Sequence, residues 1–177
     1  MRRTLSHVSL RTAAIRRRVA YLVVLLVIAW IVMTFTHEMG HVVGGWISGA
    51  TLNDLDLAPW RLPYSLHNPD PHPLVTLWCG PVLGALVPLG MAALIRQPWA
   101  FFFADFCLLA NGCYLALAWI SGERFLDTQR LLEAGAHPIS IAFYCIVTIG
   151  FGYVRFRHDC RCLFRAPSSR LHTEPPR

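Results

Sequence analysis

The sequence contains no lysine and only ten acidic residues, and charged side chains make up just 15% of the chain. Soluble domains usually carry about a quarter of their residues as Asp, Glu, Lys and Arg. Apolar residues reach 55% here, so a soluble globular domain is disfavoured. Internal repeats, low-complexity segments and nucleic-acid-binding motifs are also missing. We therefore expect no nucleic-acid partner, although the net charge is +6.

Cysteine is present but shows no zinc-finger spacing. Cys160 and Cys162 lie near His158 in "RHDCRC" and could bind a metal, but four ligands at the usual spacing are lacking. The other cysteines lie in apolar segments, where we expect them to pack as small hydrophobic side chains: Cys79, Cys107, Cys113 and Cys145.

Long apolar runs are the main feature that the sequence does contain. A membrane-spanning helix needs about 20 mostly apolar residues, and four segments qualify: 19–48, 73–95, 99–120 and 138–154. Residues 50–72 break the helical pattern with several prolines and partly alternating apolar residues. We predict an all-α integral membrane protein with about four transmembrane helices and a short hairpin or irregular loop after the first.

Arginine supplies all sixteen basic residues, and most of them flank the apolar runs. This divides the chain into a basic arm over residues 1–18, a membrane-embedded core over 19–154 and a basic tail over 155–177. Arginine-rich flanks stay on the cytoplasmic side of a membrane. We expect a multi-pass protein of a bacterial inner membrane, with both termini cytoplasmic and the loops 50–72 and 121–137 outside.

The segment "FTHEMGHVVGGW", residues 35–46, places three ionisable side chains in the first apolar helix. On a helix, His37 and His41 share one face and can bind the same metal ion, and Glu38 lies beside them. This H-E-x-x-H spacing is typical of zinc proteases, in which the glutamate is the general base on a zinc-bound water. Ionisable groups in a membrane helix are costly unless paired or bound, which favours a metal site over a chance match.

Two histidines and a water leave one protein ligand of a catalytic zinc site to be found. Asp127 is our first candidate, because it follows the third span and lies in an outward loop near the end of the first helix; it could instead cap the helix "TQRLLEAG". The other candidates, in decreasing order, are Glu123, the intramembrane Asp105, and a histidine such as His67 or His72.

Three segments together resemble the site-2 protease family of intramembrane zinc metalloproteases: "HEMGH" on the first span, "CGPVLG" on the second and "FLDTQRLL" after the third. The resemblance covers residues 19 to about 135. It implies that Zn²⁺ is bound by His37, His41 and Asp127, that Glu38 is catalytic, and that supporting roles fall to Gly80, Pro81 and Asn111. Gly80 and Pro81 would let the second span approach the site closely.

The sequence also departs from the family pattern. Thr128 replaces the glycine that follows the family's aspartate, and the N-x-x-P-x-P run before the aspartate is missing. Of that run, only Asn111 resembles the family's asparagine, and it lies further away. The chain is most similar to the short, divergent branch of the family.

These observations predict an intramembrane zinc metalloendopeptidase. Its partners would be the lipid bilayer and a membrane-anchored protein substrate, whose peptide bond it hydrolyses. The alternative is a catalytically silent membrane protein of the same fold that acts as a binding module. A third hypothesis is a small metal or solute carrier, which the lack of repeats disfavours. The sequence leaves the substrate and the oligomeric state open.

Overall fold

The computed structural model describes residues 2–164, with side chains described from residue 12 onward. Helices dominate, and one antiparallel hairpin follows the first helix. In chain order the elements are α1 (Arg2–Ser48), β1 (Leu52–Asp56), β2 (Tyr64–His67), α2 (Pro73–Ile95), α3 (Pro98–Ser121), α4 (Asp127–Glu133) and α5 (Pro138–Phe164).

The chain is an all-α integral membrane protein. Within the described residues, the four longest helices, α1, α2, α3 and α5, are long and apolar enough to cross a membrane. Large apolar side chains cover their outer faces; for example, Val27 exposes 55% of its surface and Phe143 exposes 68%. Lipid covers such apolar surfaces in a multi-pass membrane protein. A soluble protein rarely exposes apolar patches of this extent to water. The predicted fold class, including the hairpin, is confirmed.

Two helices extend beyond the predicted spans. The basic arm over residues 1–18 was predicted outside the first helix, but α1 begins at Arg2. Likewise, α5 continues ten residues past position 154 into the predicted basic tail and ends at Phe164. Neither extension, 2–18 or 155–164, contains glycine or proline, and arginine is a good helix former. The last part of the predicted tail, residues 165–177, lies outside the described residues.

The ends of α1 and α5 that carry these arginines meet each other. The Arg18 Nη1 group donates a hydrogen bond to the Phe164 carbonyl oxygen at 2.7 Å. A cation placed on the last carbonyls of a helix satisfies an acceptor that has no partner within the helix. The two basic ends therefore lie at the same end of the helix bundle.

Glycines let α1 pack directly on the backbone of α2. A Cβ atom at Gly40 would overlap the Cys79 carbonyl oxygen, and one at Gly44 would lie 2.5 Å from Cys79 Cβ. Small residues at such spacing allow the close helix contact that membrane proteins use in place of hydrophobic driving force. This contact brings the histidine-bearing face of α1 against Gly80 of α2.

The hairpin lies beside the C-terminal part of α1. β1 and β2 pair antiparallel, with Leu55 opposite Ser65 and an irregularity between Leu52 and Asp54. The indole Nε1 of Trp30 on α1 donates a hydrogen bond to the Pro59 carbonyl at 2.8 Å and so holds the hairpin loop against the helix. The hairpin is thereby placed over the predicted metal ligands.

Short polar turns set the ends of the remaining helices. Pro98 begins α3, where its missing N–H is harmless, and Gly122 ends it with a φ of 68° that favours glycine. The chain then enters α4, whose Thr128 is fully buried and donates from Oγ1 to the Leu115 carbonyl at 2.7 Å. This hydrogen bond fixes α4 to α3 beside the histidines of α1.

Candidate metal centre

The two histidines of the H-E-x-x-H motif lie on one buried face of α1. His37 and His41 are each only 4% exposed, and their Nε2 atoms are 3.2 Å apart. Residues four apart on a helix are neighbours on its surface, so this convergence follows from the spacing alone. What the spacing does not determine is which other groups meet these two nitrogens.

Asp127 meets both histidines. Its Oδ2 atom lies 2.7 Å from His37 Nε2 and 3.1 Å from His41 Nε2, and the residue is 5% exposed. The helix-cap alternative does not describe this side chain, because Leu126 occupies the N-cap of α4 without any side-chain hydrogen bond. The structure thus brings Asp127 to the position expected of a third ligand, and its role as a ligand stays a prediction.

The charge environment of Asp127 favours its ionised form. Burial raises the pKa of its carboxyl group, but the facing imidazoles of His41 and His37, when protonated, oppose this and bring the pKa well below its ordinary value. An ionised carboxylate is an oxygen donor that a cation can bind.

The second nitrogen of each imidazole faces a hydrogen-bond acceptor. His37 Nδ1 lies 2.7 Å from Asn111 Oδ1, and the Asn111 Nδ2 group donates to the Cys107 carbonyl at 2.8 Å, which assigns Oδ1 as the acceptor. His41 Nδ1 lies 2.9 Å from the Thr76 carbonyl oxygen. Each Nδ1 therefore carries a proton, and in the neutral form that a metal ligand requires, each imidazole points an Nε2 lone pair toward Asp127.

In that neutral form three lone pairs point at one another, and a metal ion among them would remove the repulsion. The separations of 3.2, 3.1 and 2.7 Å can be compared with a tetrahedral zinc site. Ligand atoms about 2.0–2.1 Å from zinc lie about 3.3 Å from each other. The two longer separations agree with this value, and the shortest is a hydrogen-bond distance. Two histidines with one carboxylate are also a usual donor set of catalytic zinc sites, so these residues fit zinc.

Glu38 lies beside the three convergent atoms without being one of them. Its ligand-capable atoms and those of His37 and His41 all lie within 4.8 Å of one another. Asp127 Oδ2 also lies within 3.1 Å of both histidine Nε2 atoms, so both carboxylates border the same point. Ser65 on β2 donates from Oγ to Glu38 Oε2 at 3.0 Å. This hydrogen bond holds the buried carboxylate of Glu38 at the edge of the centre.

The other candidate carboxylates lie elsewhere. Glu123 is exposed on the turn after α3. Asp105 is buried on α3 but bonds Arg155 on α5, with its Oδ1 atom 2.6 Å from the Arg155 Nε atom. Asn111 on the same helix contacts His37. Asp105 lies six residues earlier on α3, which is about 9 Å along the helix axis from Asn111. Asp105 was therefore a wrong candidate for the third ligand, because an arginine neutralises it.

The histidine candidates are also separate from the convergent atoms. His72 is exposed before α2. The ring of His67 packs on Gly45, one turn of α1 beyond His41, and neither of its nitrogens has a hydrogen-bond partner among the described residues. Burial lowers the pKa of the His67 imidazole and favours its neutral form.

The predicted supporting residues lie directly behind the ligands. A Cβ atom at Gly80 would overlap the His41 imidazole, so only glycine leaves room for that ring. Pro81 is fully buried, and its carbonyl accepts a hydrogen bond from the Tyr144 hydroxyl at 2.7 Å. Asn111 orients His37 as described above. Such outer partners fix the tautomer and direction of metal ligands.

Two cavities open onto the centre and meet at Glu38. One, of about 390 Å³, is lined by apolar side chains of α1 and of the hairpin loop, including Trp30, Met33 and Trp60. The other, of about 430 Å³, runs along β2 and reaches His41, Asp127 and Arg130. The Glu38 carboxylate therefore lines both cavities.

Sequence reasoning missed several residues of this site. Ser65, Tyr114 and Arg130 line its cavities, and the Thr76 carbonyl orients His41. No local pattern marks Ser65 or Tyr114, since tertiary packing alone brings them to Glu38. Arg130 had a signal, because it lies on the same short helix as Asp127, one turn later.

Comparisons with protein-family models, with curated proteins and with solved structures find no significant match to this chain. The functional interpretation consequently depends on the motifs and the geometry of the buried centre.

Proposed function

We propose that this chain is an intramembrane zinc metalloendopeptidase of the site-2 protease type, which hydrolyses a peptide bond of a membrane-anchored protein. The observation that supports it most is the convergence of three lone-pair donors, His37 Nε2, His41 Nε2 and Asp127 Oδ2, beside the buried carboxylate of Glu38. A purely structural zinc site has four protein ligands and needs no adjacent base, whereas a catalytic site has three and keeps one position open.

The chemistry divides between the ion and the chain. When bound, zinc supplies Lewis-acid activation of a water molecule and lowers its pKa toward about 7. Glu38 would take a proton from the attacking water as the water oxygen bonds to the peptide carbonyl carbon, and would return that proton to the amine nitrogen as the C–N bond breaks. Ser65 holds the Glu38 carboxylate in place through its hydrogen bond to Oε2.

The hairpin supports a way of presenting the substrate. A helical segment hides its carbonyls in backbone hydrogen bonds and must become extended before hydrolysis. Among the described residues, β2 pairs only with β1, which leaves its other edge free to pair with a peptide. Tyr64, Ser65 and Leu66 of β2 line the cavity that also reaches Asp127. An extended peptide on this edge would pass directly over the metal centre.

The proposed orientation has both termini in the cytoplasm of a bacterial cell, with the hairpin and α4 on the outer side of the inner membrane. The contact of Arg18 with the end of α5 supports termini on one side, and the arginine-rich flanks support the cytoplasmic side. Reporter fusions after residue 60 and at residue 177 should give opposite signals. Equal signals from the two fusions would contradict this orientation.

The test of the function combines metal analysis with proteolysis in detergent. The wild-type protein should contain about one zinc per chain and cleave a model membrane-anchored protein. Glu38→Gln should keep the zinc yet lose at least about 100-fold of the cleavage rate, since general acid–base catalysis contributes that much or more. Glu123→Gln, an exposed carboxylate change on the neighbouring turn, is the matched control and should behave as wild type.

Two outcomes would overturn the proposal. Absence of zinc from the wild-type protein would contradict the metal centre. Zinc in both proteins with no cleavage by either would favour the binding-module alternative instead.

A further inference from the structure

The two cavities that meet at Glu38 are both lined mainly by apolar side chains, and they differ in the charged groups on their walls. Four residues line both cavities: Glu38, Leu62, Pro63 and Tyr114. A peptide whose scissile bond lies beside Glu38 would place the residues before that bond in one cavity and those after it in the other. The linings of the cavities then act on opposite sides of the bond.

The first cavity suits a large apolar side chain. It lies on the α1 side toward the middle of the membrane, where Trp30 and Met33 precede His37 by one to two turns. Trp60 and Leu62 of the hairpin loop form its opposite wall, and the arginine between them, Arg61, is paired with Asp56 at 2.6 Å. Its volume of about 390 Å³ is ample for an aromatic or branched side chain.

The second cavity contains an uncompensated positive charge. Arg130 lines it, and no hydrogen bond or ion pair of the Arg130 side chain occurs within the described part of the chain. The nearest carboxylate in the cavity, Asp127, is already directed to the two histidines. A guanidinium with free donors on the wall of a substrate cavity is complementary to a carboxylate.

The position of Arg130 agrees with such a role. It lies on α4, in the connection between two membrane-spanning helices, whereas the apolar cavity lies against the span α1. A substrate that leaves the membrane at this point would have apolar residues on the side of Trp30 and polar residues on the side of Arg130. A structural alternative is that Arg130 only complements the C-terminal dipole of α4.

The following inference rests on the proposed function. We propose that the cleft selects an extended peptide with a large apolar side chain on one side of the scissile bond and an acidic side chain on the other. Arg130 recognises the acidic side chain, and the cavity beside Trp30 and Trp60 accepts the apolar one. The substrate class is thus the acidic boundary of a membrane-spanning segment.

Peptide binding tests the acidic preference without depending on hydrolysis. The probes are fluorescent peptides that are identical except for Asp, Asn or Lys at one position, measured with the zinc-loaded full chain and its Glu38→Gln variant in detergent. The Asp peptide should bind about three- to tenfold more tightly than the Asn peptide, and the Lys peptide should bind most weakly. The Asp position is scanned on both sides of a central Phe.

Variants of Arg130 identify the source of the preference. Arg130→Gln should remove the difference between Asp and Asn peptides, and Arg130→Glu should reverse the order in favour of Lys. Arg124→Gln removes an exposed arginine nearby that lines neither cavity, and it should leave the ranking unchanged. Arg130→Lys keeps the charge and should keep the ranking, which provides a readout if the other variants fold poorly.

The apolar preference is tested with the same assay. Replacing the central Phe of the Asp peptide by Ala should weaken binding to the wild-type chain, and Trp60→Ala should reduce that difference. Trp60 is 83% exposed, so its removal should not disturb folding. Equal affinity for Phe and Ala peptides would refute this half of the proposal.

Failure of the inference can be told apart from failure of the proposed function. Equal binding of the Asp, Asn and Lys peptides, or an Arg130→Gln variant that weakens all three alike, refutes the selection by Arg130 whether or not the chain is a protease. If binding shows a charge preference that depends on Arg130 but the chain cleaves no substrate, the recognition site is supported and the protease function is refuted.

Discussion

Two groups of buried ionisable side chains in the described helices, one at Asp105 and one at His37, are compensated differently. In one, Asp105 on α3 accepts a hydrogen bond from Arg155 on α5 at 2.6 Å. A donor meets an acceptor and positive charge meets negative, and the Asp159 side chain also contacts Asp105. In the other, His37, His41 and Asp127 direct acceptor atoms at one point. This group is balanced only by added positive charge, either a proton on an imidazole or a metal ion.

The comparison teaches which buried charges indicate a site. An acidic residue inside a span is functional by default, and on this ground Asp105 was a reasonable candidate ligand. Its partner shows that burial of a charge is not sufficient evidence, because an ion pair between two helices also satisfies it. The stronger evidence is a buried group of acceptors whose hydrogen-bond donors all point away, as the Nδ1 atoms of His37 and His41 do.

The largest expected effect separates the two groups directly. Asp127→Asn keeps the size of the side chain but removes its charge. It should lower zinc affinity by more than about 100-fold, which exceeds the loss expected when a hydrogen-bond partner of a metal ligand is replaced. Asp105→Asn makes the same change in the Arg155 pair and should leave the zinc content at the wild-type level. Metal analysis of both purified variants after dialysis against a weak chelator decides the matter. Full zinc occupancy in Asp127→Asn would show that Asp127 is not a zinc ligand.

A glycine in the second helix should have a comparable effect without any change of ligand. Gly80→Ala places a methyl group where the His41 imidazole lies, so the ring must move and zinc should be lost. Gly90→Ala, two to three turns later on α2, is the matched control, because a Cβ there meets nothing within 4 Å. We expect Gly90→Ala to bind zinc as wild type does. If Gly80→Ala also binds zinc normally, the close approach of α2 does not shape the centre.

Replacing an outer partner should weaken the metal centre to a smaller extent. Asn111→Leu removes the acceptor for His37 Nδ1 while filling the same space, and should lower zinc affinity about 10- to 100-fold. Asn111→Asp keeps an acceptor at that position and should retain most of the affinity. Zinc titrations against a competing fluorescent chelator would show the difference. Equal affinities in the two variants would mean that the hydrogen bond to His37 has no part in metal binding.

The spans and the motif could be predicted because they depend on local sequence. The predicted second span, residues 73–95, coincides with α2, and the helix near Asp127 begins at that residue. Apolar runs and helical spacing carry this information within a few turns. The ends of α1 and α5 were predicted too short, because their arginines interrupt the apolar pattern without breaking the helix.

The rest of the site depends on contacts between distant segments. Ser65 reaches Glu38 across 27 positions, and its partner is fixed by where the hairpin packs on α1. The acceptor for His41 is the backbone carbonyl of Thr76, which any residue type would supply. Thr128 departs from the family's glycine, yet its hydroxyl is used, because it bonds the Leu115 carbonyl and anchors α4. Sequence patterns alone do not contain this information.

The smallest expected effect concerns the Asp105–Arg155 pair, where the two partners should not be equivalent. The Asp105 side chain is 2% exposed and the Arg155 side chain 46% exposed. Arg155→Leu leaves a buried carboxylate without its cation, next to the electrostatic influence of Asp159. It should lower the free energy of unfolding by about 3 kcal/mol. Asp105→Leu leaves an arginine that can turn its guanidinium toward the membrane surface, and should cost only about 1 kcal/mol.

Denaturation in mixed micelles measures both changes, and zinc content is followed in parallel. Neither variant should lose zinc, because Asp105 lies about 9 Å along α3 from Asn111, the hydrogen-bond partner of His37. The double variant, with leucine at both positions, should be no less stable than Arg155→Leu, since no charge is left buried. Equal costs for the two single variants would show that the buried charge is not the source of the asymmetry. Loss of zinc in either would show that the pair and the metal centre are coupled, and the contrast drawn between them would then fail.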